Sequence, residues 1–186
     1  MINRIRNFLF RLRLKFANEN RRSILLRTKL HYVGENVKLY TIKFGTEPYL
    51  ISIHDNVTCA ADVTFVTHDV SCFNIERYLG LENGSLDKVG SIELFDNCFI
   101  GARSILMPNC SVGKNSIVAA GSIVTKKIPD GEVWGGCPAK FIMTTQAYAD
   151  KIISDCQKYP WIEENRIVQK GEMLKNARIK YFYNRN

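Results

Sequence analysis

The chain has 186 residues, a hydrophobic share of 46% and a formal net charge of +8. That length suits one domain with a sizeable core, and no apolar run approaches the roughly 20 residues that cross a bilayer as a helix. Residues 1–30 carry nine Lys/Arg against Glu19 alone, residues 31–143 carry nine against twelve acids, and residues 144–186 carry eight against five, so the basicity belongs to the ends. A basic end can meet nucleic acid, an anionic membrane or another part of the protein; with a mildly acidic body, no nucleic-acid partner is expected.

Residues 2–16 read as an amphipathic helix. Ile2, Ile5, Phe8, Leu9, Leu12 and Phe16 recur at spacings of three and four, with Arg4, Arg6, Arg11, Arg13 and Lys15 beside them. Such a helix can pack on the body or a neighbouring subunit, or lie on a membrane. Residues 20–30 read as its continuation. The start has no cleavage-site pattern, so a signal peptide is not expected.

From Val33 a six-residue pattern begins, with Leu39 in the same place. It breaks at Phe44-Gly45-Thr46-Glu47-Pro48 and resumes two residues later with Ile53, Cys59 and Phe65. Val57 and Val63 take the fifth place. His68 falls in the fourth place, on a corner and pointing away from the core; His54 takes a second place and His31 precedes the repeat. From Asp69 to Ser91 the pattern stops. A single long insertion in a regular solenoid maps to a loop on a binding face.

The pattern is strictest over Leu94–Pro129. Its first places are Leu94, Ile100, Leu106, Val112, Val118 and Val124, and its fifth places are Cys98, Ser104, Cys110, Ser116, Ser122 and Ile128. Each six is one short strand and a turn, too small to bury its own apolar residue, so the units must stack around a shared core. The third and fourth places, such as Asp96-Asn97, Pro108-Asn109 and Ala120-Gly121, suit tight corners. Cys98 and Cys110 read as buried thiols. The chain has no C-x-x-C, which excludes zinc-ribbon and thioredoxin motifs, and scattered thiols fit a reducing cytoplasm.

The turn-rich exit Gly135-Gly136-Cys137-Pro138-Ala139-Lys140 follows. Residues 144–158 read as a helix with Tyr148, Ile152, Ile153 and Cys156 on one face, ended by Pro160. Residues 161–170 and 172–183 read as two further short helices that can close the open end of the solenoid. The expected organisation is a basic helical segment 1–30, a β-helix body 31–143 with the inserted loop 69–91, and a helical extension 144–186.

Val112–Pro129 with Gly135–Lys140 closely resembles the closing coils of the hexapeptide-repeat acyltransferases. Val63-Thr64-Phe65-Val66-Thr67-His68-Asp69 resembles the catalytic coil of the polysaccharide O-acetyltransferases in that superfamily. The resemblance implies a mainly β fold, a left-handed parallel β-helix, working as a homotrimer on acetyl-CoA with no metal. It implies that His68 is the base that takes the proton of a sugar hydroxyl; the neighbouring acids Asp69 and Glu76 are the candidates to hold its tautomer. Carried over by motif, Ala102 and Ala120 would line the pantetheine arm, Thr125 and Lys126 would meet the cofactor further along, and Lys140 would meet its phosphates. Met143 stands where relatives carry a second basic residue, a role open to Lys127, and Val70 departs from the Gly that many relatives place after Thr-His-Asp. The expected function is O-acetylation of a surface glycan, at the inner face of the membrane if residues 2–16 bind it. The alternatives are a sugar-nucleotide N-acetyltransferase and a non-catalytic structural solenoid. A γ-type carbonic anhydrase needs three histidines converging on zinc, and His31, His54 and His68 offer no close pair.

Overall fold

The computed structural model describes the backbone of residues 2–183 and the side chains of residues 8–183. Strands of two or three residues cannot stand alone, and here they stack into three parallel faces. The first holds Tyr32–Val33, Ile51–Ile53, Ile92–Leu94 and Ser111–Val112; the second Lys38–Leu39, Thr58–Cys59, Phe99–Ile100, Ile117–Val118 and Glu132–Gly135, with Lys140–Thr144 at its edge; the third Thr64–Phe65, Ile105–Leu106 and Ile123–Val124. Leu94 pairs with Val112, Ile100 with Val118 and Leu106 with Val124, so three sixes make one turn of a parallel β-helix.

The first places point inward. Leu94, Ile100, Leu106, Val112, Val118 and Val124 are buried, as are Ile53, Cys59 and Phe65. The fifth places lie under the corners. Where they are serines, their hydroxyls donate to corner carbonyls: Ser122 to Ala119 O at 2.6 Å and Ser116 to Pro129 O at 2.7 Å, which satisfies a polar group that burial would otherwise penalise. Where they are cysteines, burial pushes the thiols of Cys98 and Cys110 up to about 12. Asn56, Asp62, Asn97, Arg103, Asn109 and Asn115 turn the corners at φ between 57° and 64°, a region Asn and Asp enter most readily among non-glycine residues.

The two departures from the pattern are both inserted without disturbing the stack. Val33 pairs with Ile53 across the break at 44–48, and Ile53 with Leu94 across the loop. The loop's ends run antiparallel: Asp69 N donates to Lys88 O at 2.8 Å, Gly90 N to Thr67 O at 2.9 Å, and His68 bridges Val89.

Two expectations are corrected. Residues 2–16 form helix α1 (Ile2–Phe16), but residues 20–30 do not continue it: Asn18 accepts from Arg21 N at 2.9 Å and caps a separate helix α2 (Glu19–Leu26). Helix α1 meets the coil through one line of side chains. Phe10 and Leu14 reach the core cluster and Ala17 is buried, whereas Phe8, Leu9 and Phe16 are exposed; Ile2, Ile5, Arg4 and Arg6 lie outside the described side chains. Arg22 fixes this arrangement by donating to Leu14 O at 3.1 Å and Leu39 O at 3.2 Å. Second, residues 161–170 are not a helix. Ile162–Glu163 and Arg166–Ile167 form an antiparallel hairpin around Glu164 and Asn165, both at positive φ, as the tight turns of two-residue hairpins require.

Helix α3 (Cys72–Leu79) lies within the loop. Residues 144–186 form a second compact unit. Its helix α4 (Thr145–Cys156) is capped by Thr144 and stops short of Pro160, with Ile152 and Ile153 exposed. The hairpin and helix α5 (Gly171–Tyr183) follow. Trp161 is buried here, stacked on Tyr159 at 4.9 Å and meeting Tyr181 edge-on at 5.5 Å.

Candidate active site

His68 stands at the corner between the third and first faces, on the last regular residue before the inserted loop. Its Nδ1 lies 3.1 Å from Oε1 of Glu47. Glu47 comes from the break at 44–48, which brings one extra bend of chain beneath the His68 corner. Gly45 makes that bend possible: its φ is 68°, and a Cβ there would lie 2.7 Å from Thr67 Oγ1. The other carboxylate oxygen, Oε2, accepts from the hydroxyls of Thr46 at 2.6 Å and Thr67 at 3.1 Å. The Thr46 hydroxyl most of all, then His68 and Thr67, hold the Glu47 carboxyl below its ordinary value against the opposing effect of burial. It is therefore ionised at neutral pH and can only accept. Nδ1 must then carry the ring proton, which leaves the Nε2 lone pair free to act as a base.

Nε2 faces the loop. Asp87 Oδ1 is 3.5 Å away, and Phe73 presents its ring with centroids 6.4 Å apart. Beside it, Ser71, Cys72, Ile75, Leu86, Asp87 and Lys88 line a cavity of about 420 Å³. Helix α3 holds this wall in place through Glu76, which is fully buried and accepts from Leu86 N at 2.7 Å and Gly84 N at 3.1 Å.

Neither acid that the sequence offers as the partner of His68 touches it through its carboxylate. Asp69 is turned to Lys88 at 2.6 Å and accepts from Ser71 N at 3.0 Å; the Lys88 ammonium and the Ser71 amide hold it down to about 2. Glu76 serves the loop's own backbone. The partner is Glu47 instead, which lies in the break, where no periodicity marks it. His54 bonds to Glu93 at 3.0 Å, its ring 5.2 Å from those of Tyr32 and Phe95.

The expected cofactor residues do not gather around His68 within one chain. Ala102 and Ala120 stack on the corner between the second and third faces, where Gly121 N donates to Ala102 O at 2.8 Å. A Cβ on Gly101 would overlap the backbone nitrogen of Ala120, so the glycine lets these coils close. Thr125 and Lys126 occupy the His68 corner ridge; the Lys126 ammonium lies over the Trp134 ring at 5.1 Å. Lys127 and Lys140 are exposed. Among the described residues no three His, Cys, Asp or Glu side chains converge as metal ligands.

Residues 91–126 match the family model described as bacterial transferase hexapeptide, six repeats. Protein CapG of Staphylococcus aureus is 35% identical over 145 residues, 76% of this chain and 82% of CapG. The galactoside O-acetyltransferase of Escherichia coli K12 is 34% identical over 96 residues, 52% of this chain and 45% of that enzyme, so the chain spans less than half of that relative. The hexapeptide-repeat acetyltransferase VCA0836 of Vibrio cholerae, solved with acetyl-CoA, shares the fold at a TM-score of 0.55 and 19% identity, over 73% of this chain and 82% of that one.

Proposed function

The chain belongs to the hexapeptide-repeat transferase family, and we propose that it is an acetyl-CoA-dependent O-acetyltransferase acting on a sugar hydroxyl through His68. The observation that supports this reading is the His68–Glu47 pair: an imidazole held in one tautomer, with its other nitrogen turned to the inserted loop, 3.5 Å from Asp87. Nε2 takes the acceptor's proton as its oxygen attacks the thioester carbonyl. The C–O bond forms, the tetrahedral intermediate collapses with cleavage of the C–S bond, and the imidazolium returns the proton to the leaving thiolate. Ionised Glu47 stabilises that imidazolium. The scheme uses one base, no acyl-enzyme and no metal.

A glycan acceptor is supported by the galactoside O-acetyltransferase relative, and acetyl-CoA by its presence in the VCA0836 structure. We also propose a homotrimer. His68 and the Ala102–Ala120 ridge flank opposite edges of the third face, whose outward Val66, Ile105, Met107 and Ile123 are half-buried and apolar. A neighbouring copy laid along that face would bring one chain's histidine ridge against the other's alanine ridge, making a groove for the pantetheine arm with Thr125, Lys126 and Lys140 toward its ends. Six free cysteines fit a cytoplasmic site of action.

The test is calorimetric titration of CoA, followed by acetyl transfer to galactosides and to oligosaccharide acceptors. The expected result is one saturable site per chain, weakened in Lys140→Ala, with His68→Ala binding CoA but transferring nothing. No binding at millimolar CoA would refute the transferase reading and leave a non-catalytic solenoid.

A further inference from the structure

Helix α1 has two apolar faces and the coil uses one. Phe10 and Leu14 turn to the coil, and Ala17 is buried one turn further on. Phe8, Leu9 and Phe16 are left 63%, 52% and 79% exposed, with Ile24 of α2 at 62%. Residues advance by about 100° along a helix, so these three aromatic and aliphatic side chains share a sector roughly opposite the buried one. Arg11 and Lys15 border that sector on one side and Arg13 on the other. Between α1 and α2, Arg13, Phe16, Ala17, Arg21 and Leu25 line a groove of about 430 Å³. Among the described residues none of Arg11, Arg13, Lys15 or Arg21 makes an ion pair with a carboxylate.

We propose that this surface docks on an anionic lipid bilayer. Phe8, Leu9 and Phe16 enter the boundary between headgroups and acyl chains, while Arg13 and Arg21 take a lipid phosphate in the groove. Charge decides the occupant. A second copy placed on the same face would set unpaired cations against each other, whereas an anionic surface neutralises them on both borders of the apolar sector. The geometry is that of a helix lying in the interface, since no helix among the described residues is long and apolar enough to cross a membrane. The inference stands on α1 and α2 alone and does not depend on acetyl transfer.

The experiment is cosedimentation of the full chain with vesicles of phosphatidylcholine alone and of phosphatidylcholine mixed with phosphatidylglycerol. Binding is expected only to the mixed vesicles and is expected to fall with added salt. The pair Arg13→Gln and Arg21→Gln should weaken it about 25-fold, roughly fivefold per charge. Phe8→Ser with Phe16→Ser should abolish it without lowering the melting temperature, because both rings are already exposed. Failure to bind either vesicle, or full binding by the double serine variant, would overturn the proposal. So would an oligomer of the free protein that dissociates in the serine variant, which would assign the face to a second copy.

Discussion

Glu47→Gln tests the site at its least anticipated point. In the wild type, Oε1 faces Nδ1 of His68 at 3.1 Å, and Oε2 receives two hydroxyl donors at 2.6 and 3.1 Å. An amide has one accepting end. Two donors compete for it on the threonine side, which turns the NH2 toward Nδ1. Nδ1 must then accept, the ring proton moves to Nε2, and the base is lost. The alternative orientation keeps the tautomer but requires both hydroxyls to rotate and removes the charge that stabilises the imidazolium. General-base catalysis by a positioned side chain is worth about 10²–10⁴-fold, so kcat should fall within that range while KM for acetyl-CoA stays near wild type. Stopped-time thiol release from acetyl-CoA in the presence of acceptor measures it, with Glu47→Asp as a partial rescue. A Glu47→Gln enzyme within threefold of wild type would show that this contact does not set the tautomer.

Other outcomes follow from the same geometry. Gly101→Ala forces a methyl group into the Ala120 backbone and should lower unfolding free energy by about 1–3 kcal/mol in a urea titration. Leu106→Ala, in the centre of the stack, should lower it by about 2–5 kcal/mol. Ellman's reagent should label exposed Cys137 and half-buried Cys156 in the native protein, and Cys59, Cys72, Cys98 and Cys110 only after unfolding; fast labelling of Cys98 would contradict the burial that raises its pKa. The Asp69–Lys88 closure of the loop should be insensitive to pH between 5 and 8. Asp69 titrates near 2 in the folded chain, below the about 3.9 of a free Asp, so its contribution is complete above pH about 4 and fades as pH falls toward 2. Amide exchange at Ser71 reads this directly.

The coil was legible because its signal is repeated. Six aliphatic first places in one register can be satisfied by one arrangement, and the fifth places and positive-φ corners then follow. Helix α1 shows where that logic weakens. Its widest apolar sector suggests the buried face, yet the narrow line of Phe10 and Leu14 makes the contact, because a helix lying on the coil needs only one line of side chains. The hairpin at 162–167 was hidden because Glu164 and Asn165 carry no glycine to announce their positive φ. Glu47 was hidden for a deeper reason. Its role exists only when the break folds under a corner 21 residues further on, and no local pattern encodes that meeting. The visible clue was the break itself, an acid beside Gly45 and Pro48 in an otherwise regular stretch.

The paired ends of the inserted loop make it a cassette. Thr67 and Asp69 leave the coil beside the Gly90 and Lys88 that return to it, and the strands on either side stack as though nothing intervened. Length and sequence between those two hydrogen-bonded gateposts can therefore drift without shifting the register of a single coil. Glu76 polices the interior of the cassette, and His68 stays at its doorway whatever the cassette contains. On the proposed reading, one contiguous segment can be rewritten beside the acceptor while the His68–Glu47 pair and the scaffold stay as they are.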